Sequence, residues 1–210
     1  AINCFLSHPC FNSVAVGIAR QDPYFNTLSI SNNSHVQVFE GGPERVHSVL
    51  NGLNFLADKA KEDDWVWVHD AARPCLSHAD IDLLIAAIDK ADDGVLLAGP
   101  IYDTVKRVDE HRCVETTIDR SVLWRAMTPQ VFRFSRLYAA LNTCLEQSIL
   151  VTDESSAIEH CGGRPVLVQG SDLNIKITRP GDIALAEQTI LSREERNINV
   201  VEEVNGVSML

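Results

Sequence analysis

No apolar run in the chain approaches the ~20 residues that a bilayer-spanning helix needs, and no signal-peptide pattern is visible. Positive charge is scarce as well: 18 Lys and Arg stand against 29 Asp and Glu, a formal net charge of −11. That balance argues against a general nucleic-acid or anionic-membrane surface. It leaves room for a local cluster of cations around a small anion. The six cysteines (Cys4, Cys10, Cys75, Cys113, Cys144 and Cys161) form no Cys-x-x-Cys, and no histidine pair has metal-ligand spacing. This speaks against a zinc module or a disulfide framework and fits reduced thiols in a cytosol-like compartment. Gly-x-Ser-x-Gly, the Walker sequence and His-Glu-x-x-His are missing too, which sets aside nucleophile-elbow, P-loop and zincin chemistry. What remains is an ordinary globular composition, 45% hydrophobic and 22% charged over 210 residues. It suits one domain with a full core, with or without an appendage.

The chain alternates strand-like and helix-like segments. It opens at Ala1 on what reads as the end of a helix, Ile2–Leu6, and then reaches an apolar run at 13–19 that predicts a buried strand. A polar, loop-like stretch to Asn33 precedes an alternating strand at 35–40. Gly41-Gly42-Pro43 then turns into a helix carrying Val46, Val49, Leu50, Leu53 and Leu56. Pro43 suits a first helical position. The turn reads either as a tight connection or as an anion site at a helix start. Trp65-Val66-Trp67-Val68 predicts a buried strand that Pro74 closes. A helix follows from Ser77, with Ser77 and Asp80 at capping-box spacing. Residues 94–100 form another buried strand. Strands and helices alternating at this spacing indicate a Rossmann-like α/β fold, a mostly parallel sheet with helices on both faces.

The rhythm breaks at 102–119, which carries no helical stripe and reads as two extended pieces, 104–108 and 113–118, joined by a polar turn. A hairpin with so little to bury needs a partner, plausibly a second subunit. Segment 124–130 leads back to the body. Helices follow at 135–145, with Leu137, Ala140, Leu141 and Cys144 inward, and after Thr152 or Asp153 as N-cap, closed by Gly162. Strands are expected at 165–170 and 174–178, and a last helix from Pro180 to Leu191. Residues 1–191 thus form the domain with its arm at about 102–119, and 192–210 reads as a tail or linker.

One acid falls at a strand end, Asp70, at the sheet edge where open α/β folds bind ligands. Two readings stand for it: a surface partner of Arg73, or a carboxylate that meets Mg²⁺ beside substrate phosphates. Cations lie in turns at Arg45, Arg73, Lys106, Arg107, Arg120, Lys176 and Arg179. Lys176, in an extended run before a helix, can meet phosphate as a point charge. His69 reads as a packed strand residue rather than a general base. Taken together, the set favours phosphoryl or nucleotidyl transfer, where catalysis is positioning and charge neutralisation.

The segments Val68–Pro74, Asp103-Thr104-Val105-Lys106-Arg107, Asp119-Arg120, Leu123-Trp124, Thr128-Pro129-Gln130, Thr152-Asp153-Glu154 and Asn174–Pro180, in this order and spacing, resemble the 2-C-methyl-D-erythritol 4-phosphate cytidylyltransferases of nonmevalonate isoprenoid biosynthesis. The likeness extends from about Ile2 to Leu191. It implies cytidylyl transfer from CTP to methylerythritol phosphate with release of pyrophosphate, using Mg²⁺. It places Gly42, Pro43 and Ser48 at the cytosine nucleotide, with Pro43 standing where an acid is common. Asp70 and Ala71 would face CTP and metal, and Arg73 the sugar phosphate. The 102–119 arm would interlock a homodimer, bringing Thr104 and Arg120 to the methylerythritol phosphate site. Arg120 and Lys176 would position that phosphate for attack, with Thr128 and Thr152 lining the same pocket. No nucleic acid or membrane is implied, and the compartment would be bacterial cytoplasm or plastid stroma.

The family's opening strand and Gly-rich loop, ending in an arginine and followed by a lysine, have no counterpart here. The expectation is that roughly 40 residues, about one strand–loop–helix unit, are missing and that the chain as written turns over poorly. Two rivals stand beside the main reading. One is a ribitol-5-phosphate cytidylyltransferase, the other a non-catalytic dimerising fragment.

Overall fold

The computed structural model describes residues 1–206, with side chains left aside at 194 and 196–206. A short helix α1 (Ile2–Leu6) leads into β1 (Val14–Ile18), which pairs in parallel with β2 (Val36–Glu40). The polar stretch between them holds two 3₁₀ turns, Phe25–Thr27 and Ser29–Asn32. Helix α2 (Arg45–Leu56) follows, then β3 (Trp65–Val68), α3 (His78–Ile88) and β4 (Val95–Pro100). The arm is β5 (Val105–Val108) and β6 (Val114–Ile118). Strand β7 (Trp124–Arg133), helices α4 (Phe134–Glu146) and α5 (Glu154–His160), strand β8 (Val166–Gln169) and helix α6 (Pro180–Gly206) complete the described chain.

The central sheet runs β3-β7-β4-β8. Strand β7 is antiparallel to β3 and β4, and β4 is parallel to β8, so three of the four strands point one way. Side-chain alternation along each strand feeds two cores. Trp65, Trp67, Val131 and Val168 join the layer under α3 with Ile81, Leu84 and Ile88. Val66, Val68 and Phe132 join the layer under α2, α4 and α5 with Leu53, Leu137 and Leu141. Helices therefore cover both faces, as a period of two with both sides apolar requires.

Several boundaries differ from expectation. Segment 124–130 is part of a ten-residue strand at the centre of the sheet, not a connector. Pro129 hides this, because proline donates no ladder bond. The β4–β7 register jumps from Leu96↔Gln130 to Ala98↔Ala126, so Pro129 lies in a bulge where no donor is needed. Strands β1 and β3 are half-buried rather than buried, since β3 is the edge of its sheet among the described residues. Pro43 is not the first helical residue: α2 begins at Arg45 with Glu44 as N-cap. Residues 174–178, expected as a strand, join no described sheet and are held by Ile177 N–H donating to Ala72 O at 2.8 Å. The stretch from Ser192 continues α6 to Gly206, and the remainder of the expected tail, 207–210, lies outside the described residues.

The caps behave as their chemistry dictates. Ser77 and Asp80 form the capping box of α3, and Asp153 rather than Thr152 caps α5, accepting from Ser156 N–H. Gly94, at φ +96°, precedes β4 where a β-carbon would meet the Phe132 ring. No helix among the described residues is long and apolar enough to cross a membrane.

Candidate active site

Asp70 lies two residues beyond the end of β3, where the chain leaves the sheet. Its backbone N–H donates to Thr128 Oγ1 at 3.0 Å, tying the turn to the bulge of β7. The Thr128 hydroxyl lies 3.1 Å from His69 Nδ1, and His69 Nε2 lies 3.0 Å from Arg73 O. A carbonyl only accepts, so the proton is on Nε2 and the Thr128 hydroxyl donates to Nδ1. Burial pushes the His69 pKa down to about 4. The imidazole is therefore neutral at working pH, a packed residue that orients Thr128 rather than a base, as the sequence reading has it.

This neutrality has a measurable consequence. Between pH about 6.5 and about 4 the unfolded chain takes up a proton that the native imidazole refuses, so more protons are bound in the unfolded state. Stability present above that window is lost as pH falls through it, by up to about 1.4 kcal/mol per pH unit, and the loss ends near the folded value of about 4. Urea melts across the window should show a shallower slope for His69→Gln, which keeps a donor and an acceptor. Equal slopes would contradict the assignment.

The Asp70 carboxylate is gripped from both sides. Arg45 Nε donates to Oδ1 at 2.9 Å, and Lys176 Nζ donates to Oδ2 at 2.8 Å. Arg45 is the first residue of α2, and Lys176 arrives on the segment that Ile177 N–H ties to Ala72 O. Burial alone would raise the Asp70 pKa, but the Lys176 hydrogen bond and the Arg45 charge outweigh it and hold the carboxyl below its usual range. Arg45 also donates from Nη1 and Nη2 to Glu154 Oε1 and Oε2, at 2.6 and 2.9 Å. Burial pushes the Glu154 carboxyl up against that pull. It pushes Arg45 down, yet its two carboxylate partners leave Arg45 more firmly protonated than a free arginine.

These groups border a cleft of about 210 Å³ lined by Arg45, Asp70, Arg73, Thr128, Thr152 and Lys176, among others. Its charged lining is three cations against Asp70 and Asp153, a positive locus in a chain of net charge −11. Arg73 is buried, donating to Asn174 O at 2.8 Å and Ala126 O at 3.4 Å, with Nε unpartnered. Burial lowers its pKa. Thr152 is exposed and Thr128 buried at the cleft wall, and Ala71 is exposed beside Asp70.

The structure does not bring all the expected residues to this cleft. Gly42 and Pro43 lie on the turn that delivers Arg45, and Ser48 in the first turns of α2, all outside the cleft lining. There the Gly42 N–H donates to Ser48 Oγ at 2.9 Å. A β-carbon on Gly42 would meet His47 Cβ at 2.3 Å, which accounts for the glycine. Thr104 begins the arm, and Arg120, after it, donates to Tyr102 O. Both are exposed, and neither lines the cleft. Two residues that carried no individual role join it: Arg45, one of the turn cations, at a helix start after Gly-Gly-Pro, and Glu154, the first-turn acid of α5. Among the described residues no group of three His, Cys, Asp or Glu is arranged to hold a metal. Asp70 offers the cleft a carboxylate beside cations suited to phosphate, whereas the Asp153 carboxylate caps α5 and accepts from Gln130.

Comparison with known proteins bears on the same site. The model of the 2-C-methyl-D-erythritol 4-phosphate cytidylyltransferase family matches residues 1–193. The chain belongs to this family. The family's cytidylyltransferase from Aliivibrio fischeri is 50% identical over 186 residues, covering 89% of this chain and 78% of that protein. The one from Haemophilus influenzae is 50% identical over 186 residues, covering 89% and 80%. Among solved structures, 4-diphosphocytidyl-2C-methyl-D-erythritol synthase superposes with TM-score 0.80 at 34% identity, covering 90% of this chain and 87% of that one. The Francisella tularensis cytidylyltransferase gives 0.77 at 37% identity, covering 88% and 83%. The cytidylyltransferase fold is thus the α/β architecture described above, with Asp70 at its strand edge.

Proposed function

We propose that the chain carries out cytidylyl transfer from CTP to 2-C-methyl-D-erythritol 4-phosphate, releasing pyrophosphate. The observation that carries this reading is the Asp70 carboxylate between Arg45 and Lys176, at a strand end, in the cleft bounded by Arg73, Thr128 and Thr152. A phosphate oxygen of the acceptor forms the new P–O bond at the α-phosphorus of CTP. The bond from that phosphorus to the bridging oxygen breaks, and its electron pair leaves with pyrophosphate. Little covalent chemistry falls to the protein, so its task is to hold two anions in line and balance their charge. Lys176 is the exposed ammonium free to turn from Asp70 to a phosphate, and Arg73 keeps the segment that bears it in register through Asn174 O. Thr128 and Thr152 supply hydroxyl groups to the same pocket.

Mg²⁺ fits Asp70, because the ion is commonly held by one or two carboxylates together with substrate phosphates. When bound there it would neutralise phosphate charge. Arg120 and Thr104 act on the acceptor phosphate of the neighbouring subunit in a homodimer joined by the arm. The exposed Val108, Val114, Val122 and Trp124 support this, since apolar side chains on and beside an isolated hairpin call for a covering surface. Gly42 and Pro43, from the turn before α2, and Ser48, from α2 itself, serve the cytosine nucleotide. The six free thiols fit a reducing compartment, bacterial cytoplasm or plastid stroma.

The test is pyrophosphate release from CTP by the full-length protein, with methylerythritol phosphate and ribitol 5-phosphate as acceptors. Release with the branched acceptor and not with the unbranched one is expected. Inertness with both would overturn the reading.

A further inference from the structure

Glu154 is 1% exposed, and the transfer needs no substrate contact from it. Both its oxygens are taken by one guanidinium, which leaves that guanidinium's Nε–H for Asp70. A guanidinium is a rigid planar fork, so fixing one edge on a carboxylate fixes the direction of the remaining N–H. Glu154 thereby decides where Arg45 reaches and which way Asp70 is turned. Glu154 is itself held in place. Gln130, 1% exposed on β7, donates from Nε2 to Asp153 Oδ2 at 2.9 Å and accepts from Ser155 N–H at 2.9 Å, clamping the start of α5 on either side of it. The two cations on Asp70 are therefore unequal. Arg45 is anchored, whereas Lys176 is 43% exposed on a flexible stem with Asp70 as its acceptor.

We infer that Glu154 is a positioning residue that pins Arg45 to Asp70, so that on arrival of the anionic substrates Lys176 leaves Asp70 for phosphate while Arg45 stays. This rests on the proposed cytidylyl transfer. With Arg45 unpinned, entering phosphates would draw both cations, and Asp70 would lose its fixed orientation. Misplacement by about an ångström at a reacting centre costs on the order of 10²-fold in rate.

The experiment compares full-length wild type with Glu154→Gln, Arg45→Lys and the double variant, in steady-state kinetics with CTP and methylerythritol phosphate alongside thermal melts. Glutamine turns an N–H group toward Arg45 and breaks the fork, and lysine keeps the charge without a fork. Each single variant is expected to fold and to lose about 10- to 100-fold in kcat, with KM for the acceptor within about threefold. The double variant should be no worse than the weaker single, as for residues acting as a unit. Folded single variants with kcat within about twofold of wild type would overturn the inference. So would losses that multiply in the double variant, or kcat and both KM values falling together with the melting temperature. Should Glu154→Gln not fold, Arg45→Lys decides alone, since its side chain is 34% exposed: wild-type kcat there overturns the inference. Wild type inert with both acceptors is a different failure, that of the proposed function.

Discussion

Lys176→Ala is expected to lower turnover by about 10²- to 10³-fold, the loss found when one preorganised charge partner is removed from a developing anion. The same substitution should cost at most about 1 kcal/mol of folding stability, because the pair it breaks has one partner partly in water. Its side chain is 43% exposed, and Asp70 retains Arg45 Nε at 2.9 Å when the ammonium is gone. Rate and stability therefore separate. Steady-state kinetics with CTP and the acceptor, set beside urea melts, read both. A loss of turnover that merely tracks a matching loss of stability would remove Lys176 from the site. Lys176→Arg discriminates further: a planar fork cannot replace a point charge on a flexible stem, so restored charge should recover only part of the rate.

Why Lys176 was legible in the sequence and the pairing of Arg45 with Glu154 was not is a matter of distance along the chain. Local physics writes itself into local sequence. The stripe Leu137, Ala140, Leu141 and Cys144 is fully inward in α4, and Ser77 with Asp80 caps α3 as their spacing demands. Asp70 was visible because a β-branched and aromatic run stops just before it. The bidentate pair joins residues 109 positions apart, and no local pattern marks it. Resemblance supplied the motif around Glu154 without a role for it. Strand β7 was obscured by the opposite effect, a strong local signal overridden by tertiary structure: Pro129 argues against a central strand, yet a bulge in the ladder accommodates it. Arg73 reads as a surface cation and proves buried, bracing Asn174 and Ala126, because the alanines beside it leave no clue to what packs above them. The arm's strands were legible from the absence of a helical stripe over 102–119, but no local pattern says what covers their exposed valines.

Asp70→Asn is the second large effect, and it separates the two jobs assigned to this carboxylate. Asparagine keeps an oxygen for Arg45 Nε but turns an N–H group toward Lys176 Nζ, so the ammonium loses its resting partner and the cleft loses one of its two formal negative charges. Turnover should fall by about 10²- to 10³-fold, on the scale of losing one charged group at a phosphoryl site. Stability should change little, since Arg45 keeps both bonds to Glu154. The Mg²⁺ concentration giving half-maximal rate should rise for Asp70→Asn, because a neutral amide is a weaker ligand for a hard cation. It should not rise for Lys176→Ala, which removes a competing cation and leaves the carboxylate. In the double variant the two losses should fall short of their product, as residues in contact require. A magnesium titration unchanged in Asp70→Asn would leave Asp70 as an anchor for the two cations only. Turnover within about threefold of wild type would remove it from the site altogether.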